Sequence, residues 1–264
     1  MADKKLKYSM VPLIIAHRGA SNDAPENTLP AFELAWKQGA DAIETDLHLT
    51  RDGKIVCIHD KTTQKVAGKK LIIAESTLEE LQLLDVGSWF GKQWKGTYIP
   101  TLSDVLKIVP EDKQIFLEIK CGQELLPKLY EDLRNSQLFP KQILIISFHT
   151  EVVAAIKKTA PELKVLILSG FKRKPISQQV IPTIDDVLKT LRFTHADGYS
   201  LKTHKSVTES FVRQILEQGY EYHVWTIDDI RMAQKYRKYG VTSITTNCPG
   251  YLKEKLVSLA DKGE

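Results

Sequence analysis

"PLIIAHRGASNDAPENTLPAFELAWKQGADAIETDLHL", Pro12 to Leu49, decides the fold. Two apolar runs, "PLIIA" and "DAIETDLHL", flank a helical pattern. Leu29, Phe32 and Trp36 share one stripe of Thr28–Gln38, and Gly39 stands where that helix should end. Strand, helix, strand at this spacing predicts a crossover between two parallel strands. The runs are apolar nearly throughout, as expected of strands covered on both faces.

The same alternation continues to the end of the chain. Further candidate strands are "QIFLEIK", "QILIIS", "KVLIL", "ADGYS", "YHVWTI" and "TSITT", eight with the first two. Helices are expected over Glu124–Ser136, Glu151–Thr159, Ile184–Leu191, Glu209–Gln218, Asp229–Tyr239 and Gly250–Ala260. Eight strands alternating with helices over 264 residues predict an α/β protein, a TIM (β/α)8 barrel spanning 1–264 as one domain. The competing architecture is an open doubly wound sheet. No G-x-G-x-x-G follows the first strand, which weakens it.

Two stretches break the alternation. "IETDLHLTRDGKIVCIHD" reads as a hairpin turning at Arg51-Asp52-Gly53. Residues 61–100 read as an insertion, with a capping box at Ser76-x-x-Glu79 and an aromatic loop, "VGSWFGKQWKGTY". Trp89, Phe90 and Trp94 are expected to form that insertion's own core. Thr101 then caps the next barrel helix.

Composition narrows the function. With 42% hydrophobic and 27% charged residues, the chain has an ordinary globular composition. A net charge of +4 suits a small anionic ligand, and no basic run is long enough for a nucleic-acid footprint. Cys57, Cys121 and Cys248 show neither a disulfide framework nor zinc spacing. They fit a reducing compartment, and a cytoplasmic location is the expectation. "MADKKLKYSM" leads straight into the first strand, without the apolar core of a signal peptide. No stretch approaches the ~20 apolar residues of a membrane span.

In a barrel, chemistry collects at the C-terminal ends of the strands. There stand His17 and Arg18, Glu44 and Asp46, His59, Glu118 and Lys120, and Trp225. Glu44 and Asp46 are two apart and share a face, as do Glu118 and Lys120. Glu44, Asp46 and Glu118 in one mouth repel unless neutralised, and Lys120 offsets only part of that charge. A hard divalent cation, Ca²⁺ or Mg²⁺, answers the pattern. His17 and His59 can serve as base and acid to one phosphorus. Arg18 offers a fork for phosphate oxygens, and Glu26 and Asn27 are expected to brace it from behind. His48 continues the Glu44 and Asp46 parity but sits close to the turn. His149, His195, His204 and His223 are expected to be structural or solvated.

The ordered set "HRG", "PENT", "E-T-D", "HD", "EIK" and "WT" resembles the glycerophosphodiester phosphodiesterases. The resemblance runs from Ala16 to about Pro249. It implies a TIM barrel that hydrolyses glycerophosphodiesters to sn-glycerol 3-phosphate and an alcohol. By position it implies His17 and His59 as the acid–base pair and Glu44, Asp46 and Glu118 as metal ligands. It further implies phosphate binding by Arg18 and Lys120, with Trp225 and Phe148 lining the pocket. Asn247 stands where many members carry aspartate, which puts a charged role there in doubt. The implied partner is a small diester, with no nucleic acid and no membrane-spanning segment. The alternatives are a phosphodiesterase acting on a lysophospholipid or similar lipid, a non-catalytic barrel for a phosphorylated ligand, and a metal-dependent sugar isomerase. The last gives no reason for Arg18 beside His17.

Overall fold

The structure, a computed structural model, describes residues 11–175 and 177–261; residues 1–10, with the leading lysines, lie outside it. Eight parallel strands close on themselves: β1 (Leu13–His17), β2 (Ala42–Leu49), β4 (Gln114–Ile119), β5 (Ile143–Ser147), β6 (Lys164–Ser169), β9 (Gly198–Lys202), β10 (Glu221–Trp225) and β11 (Ser243–Thr246). Pairing of β1 with both β2 and β11 closes the ring. The fold is the expected TIM barrel. An antiparallel strand, β3 (Ile55–Cys57), hangs from the far end of β2 through the turn at Thr50–Lys54.

The first crossover shows how sequence sets geometry. Thr28 accepts a hydrogen bond from the Ala31 N–H and starts the helix Leu29–Lys37. Gly39, at φ +79°, ends it. Phe32 and Ala35 are buried from that helix against the outward faces of the strands, in the layer that also holds Ile43, Leu47 and Leu117. Inside the barrel lies a second apolar cluster: Ile15, Ala42, Phe116, Leu144, Ile146, Leu166 and Leu168. Each large member contributes about 1.5–3 kcal/mol by leaving water. This plug floors the mouth; at the opposite end of the strands Glu221 meets Lys164 and the buried His223.

Register sets the neighbours at the mouth. His17 lies beside Glu44 across β1 and β2, and Asp46 beside Glu118 across β2 and β4. The strand expected over 196–200 begins two residues later. Asp197 turns its carboxylate to the Val165 N–H at 2.7 Å and to Lys157, and the strand starts beyond it. A short hairpin, β7 (Lys172–Arg173) with β8 (Val180–Ile181), follows β6 and was not expected.

Residues 61–100 carry two corrections. The capping box is Thr77 with Glu80, not Ser76 with Glu79. The Ser76 hydroxyl donates back to the Ile72 carbonyl, which shifts the helix start by one residue. The core under this segment is aliphatic: Val66, Ile73, Leu81, Val86 and Ile99 pack on Val56 and Ile58. The aromatics lie outside it. Asp85 gathers the N–H groups of Gly87, Ser88 and Gly96, which ties the loop into a turn and leaves Trp89 44% exposed.

Candidate active site

The loop after β1 aims the first two residues. Arg18 adopts φ +56°, a left-handed conformation that costs an ordinary side chain about 1–3 kcal/mol and persists only when its surroundings hold it. They do so from both ends. The Arg18 N–H donates to Glu44 Oε2 at 2.9 Å, and its carbonyl accepts from the Asn27 N–H at 3.0 Å. Gly19 follows at φ +83°, and a Cβ there would meet the Ala31 backbone at 2.6 Å. The guanidinium then lies 3.0 Å from Asp46 Oδ2 and 3.2 Å from Glu26 Oε1. Glu26 also takes Lys65 at 2.7 Å. Asn27 grips the other side of Asp46. Its Nδ2 donates to Asp46 Oδ2 at 2.8 Å, and its Oδ1 accepts from the Asp46 N–H and from the Thr45 hydroxyl. Glu26 and Asn27 thus stand where the sequence reading put them, behind Arg18 and Asp46.

Glu44, Asp46 and Glu118 are all buried, and one oxygen from each lies within 4.8 Å of the others. Two cations answer them, Arg18 and Lys120; Lys120 Nζ lies 2.7 Å from Glu118 and 3.4 Å from Asp46. Burial, reinforced by the charges of Asp46 and Glu118, pushes the Glu44 carboxyl well above its usual range. Burial and then Asp46 push Glu118 up to about 7 against the opposing pull of Lys120. Burial works the same way on Asp46, but Arg18 and Lys120 prevail and hold it low. Glu44 Oε1 is buried with no hydrogen-bond donor. Three crowded carboxylates, two of them (Glu44 and Asp46) with a buried oxygen that no hydrogen bond satisfies, form a donor set that fits a hard divalent cation.

The two histidines face the same space from different settings. His17 Nδ1 lies 2.7 Å from Asn247 Oδ1. Asn247 Nδ2 in turn donates to Asp228 Oδ2 at 2.7 Å, which fixes the amide with its oxygen toward His17. His17 therefore carries its proton on Nδ1 and leaves Nε2 as the acceptor in the neutral ring. Burial, and next the Arg18 charge, lower its pKa, partly offset by Asn247. His59, a third exposed, places Nδ1 2.7 Å from the carboxylate of Asp60. The His59 carbonyl lies 3.1 Å from His48 Nε2. His48 is thus a support for the His59 loop and does not line the catalytic cavity.

That cavity, about 130 Å³, is lined by His17, Arg18, Glu44, His59, Glu118 and Lys120 on one side. Phe116, Ile146, Phe148, Leu168 and Trp225 complete it on the other. Trp225 Nε1 donates to the Ser200 carbonyl at 3.3 Å, and Phe148 meets its ring edge-on at 5.8 Å. Asp46 is the one expected residue that does not line the cavity; it lies behind, between Arg18, Lys120 and Asn27. Sequence reasoning assigned no role to Asn247, Asp60 or Asp228. The signal for Asp60 was its place directly after His59. Asp228 lies three residues past Trp225, at the mouth by the same strand-end rule. His223 is buried and satisfied by Ser243 and Glu221, a structural histidine as expected.

Comparison with known proteins agrees with this geometry. The model of the glycerophosphoryl diester phosphodiesterase family matches residues 17–251. A glycerophosphodiester phosphodiesterase of Caldanaerobacter subterraneus subsp. tengcongensis is 33% identical, over 96% of this chain and 100% of its own. One from Bacillus subtilis is 30% identical, over 90% of this chain and 84% of its own. An Oleispira antarctica phosphodiesterase, solved in complex with the product sn-glycerol-3-phosphate, superposes with a TM-score of 0.81 at 27% identity, over 95% of this chain and 98% of that one. The chain belongs to the glycerophosphoryl diester phosphodiesterase family and is an enzyme of that hydrolase class.

Proposed function

We propose that the protein hydrolyses glycerophosphodiesters to sn-glycerol 3-phosphate and an alcohol, with a divalent metal ion, Ca²⁺ or Mg²⁺, and with His17 and His59 as proton carriers. One observation carries the reading: two histidines, an arginine, a lysine and two of the three clustered carboxylates line a single small cavity. Glu44, Asp46 and Glu118 would hold the metal. When bound, it supplies positive charge toward the non-bridging phosphate oxygens.

Arg18 and Lys120 offset charge that grows on the phosphate oxygens. His17, kept neutral by burial and Arg18, takes the proton of the attacking oxygen at Nε2. His59, whose Nδ1 lies 2.7 Å from the Asp60 carboxylate, donates its Nε2 proton to the leaving oxygen. Trp225 and Phe148 wall the glycerol end. A small cavity of about 130 Å³, polar along one wall, suits a compact ligand such as a glycerol phosphate. Three free cysteines support a reducing, cytoplasmic setting. Among the described residues no helix is long and apolar enough to cross a membrane.

The test is a coupled assay of glycerol 3-phosphate released from glycerophosphocholine, with protein stripped by EDTA and reloaded with Ca²⁺ or Mg²⁺. Release that vanishes on stripping and returns on reloading is expected. No release under any condition overturns the activity, and release indifferent to EDTA overturns the metal.

A further inference from the structure

The catalytic cavity is small, about 130 Å³, and a diester carries a leaving alcohol beyond its glycerol phosphate end. A second, larger cavity of about 530 Å³ opens beside it, over the ends of β2 and β4 and against residues 72–74. Lys120 lines both cavities. His48, in the wall of the second, lies 3.1 Å from the carbonyl of His59, the residue that faces the leaving oxygen. The two cavities are therefore neighbours, joined at Lys120 and at the His48–His59 contact.

Basic side chains line the second cavity: Arg51, Lys61 and Lys120, with the imidazoles of His48 and His149. Arg51 is held by the Glu75 carbonyl and Glu80, and Lys120 by Glu118 and Asp46, so Lys61 is the charge left to a ligand. Glu124 is its one carboxylate, and it is turned onto the Gly122 N–H at 2.9 Å. Lys61 is exposed and forms no ion pair with the described residues. Among the described residues no Phe, Tyr or Trp ring lines the space. A quaternary ammonium is recognised by aromatic faces and opposing carboxylates; here the faces are missing and the one carboxylate is engaged by a backbone N–H. A phosphomonoester is recognised by guanidinium and ammonium donors, and these are present.

We propose that this second cavity is the leaving-alcohol subsite, and that it selects alcohols carrying their own phosphomonoester over cationic ones such as choline. The inference rests on the phosphodiesterase reading above. Lys61 holds the distal phosphate, while Lys120 spans the boundary between that group and the reacting one.

The experiment compares kcat/KM for three diesters in the metal-loaded enzyme: glycerophosphocholine, glycerophosphoglycerol, and glycerophosphoglycerol carrying a terminal phosphomonoester. The phosphorylated diester is expected to be the best of the three and the choline diester the poorest, with the gap narrowing as salt rises. Lys61→Glu should cut the ratio of phosphorylated to choline diester by about tenfold or more, since it reverses a charge facing a dianion. Lys107→Glu, the same charge change at an exposed position that lines neither cavity, should leave the ratio alone. A ratio near one, or a ratio that Lys61→Glu does not move, overturns the subsite while the phosphodiesterase reading stands. Absence of glycerol 3-phosphate from all three diesters overturns both.

Discussion

The mouth of the barrel has two walls of opposite character. On β1, β2 and β4 and the loop after β3 stand His17, Arg18, Glu44, His59, Glu118 and Lys120. Beyond β4's Phe116, the strands β5, β6 and β10 contribute Ile146, Phe148, Leu168 and Trp225. The charged wall is held by a dense set of short contacts: Arg18 on Asp46 and Glu26, Lys120 on Glu118, Asn27 on Asp46. The apolar wall is held by packing, with Phe148 itself 45% exposed. The difference teaches a division of labour. Charge development is managed where donors are rigid and paired, and shape is read where rings can shift. Variants on the first wall should act on kcat, and variants on the second on KM.

The largest effects belong to the two histidines. His17→Ala and His59→Ala should each lower kcat by about 10²–10⁴ with the fold intact. Steady-state kinetics on glycerophosphocholine, alongside circular dichroism, checks this. Either variant turning over at near the parent rate would remove that histidine from proton transfer.

A divalent ion held by Glu44, Asp46 and Glu118 would act on the same wall through stability. Glu118 has its pKa raised from 4.5 to about 7, chiefly by burial, and Glu44 moves the same way. A carboxyl that binds its proton more tightly when folded contributes stability below its unfolded pKa and loses it as pH rises through the folded value. Stripped protein should therefore lose stability from about pH 4.5 through pH 7 and beyond. Added Ca²⁺ or Mg²⁺ should raise Tm by several degrees more at pH 8 than at pH 5.5, measured by calorimetry. An equal gain at both pH values would show that these carboxyls do not release protons to the metal.

The two walls also differ in how plainly they could be read in the sequence. Glu44, Asp46 and Glu118 stand out because charged residues interrupt apolar strands, and period-two alternation fixes the face they share. Ile146 and Leu168 look like any core residue, and only closure of the sheet shows that they line a cavity. The barrel was legible because each strand–helix unit repeats the same local rule. The aromatics of residues 89–94 were misread as core because composition shows what packs well, not which turn holds a loop away. Asp85 does that here through three backbone N–H groups. The Asn247–Asp228 pair behind His17 was out of reach, since it joins β11 to the loop after β10 through a contact that no spacing encodes.

That pair sets the next expected effect. Asn247→Asp would place a carboxylate against His17 Nδ1, where an amide oxygen now lies at 2.7 Å. An opposite charge at that range raises the imidazole pKa by about one unit or more. His17 would then hold a proton at pH values where it now accepts one. The acid limb of the kcat/KM profile should move up by about one pH unit, costing roughly tenfold on that limb. A limb that stays in place would mean that His17 is not the base.

The smallest effects test the apolar wall. Trp225→Ala removes the ring against the glycerol end and should raise KM by about tenfold. Phe148→Ala removes only an edge-on contact, worth about 0.5–1.5 kcal/mol, so KM should rise about two- to tenfold. In both, kcat should change little, because neither side chain offers a proton or a charge to the phosphate. Release of glycerol 3-phosphate across a substrate series separates the two constants. If Phe148→Ala instead lowered kcat tenfold at unchanged KM, the ring would be setting the position of the reacting atoms. The contrast between a wall for chemistry and a wall for shape would then fail at Phe148, whose ring packs edge-on against Trp225.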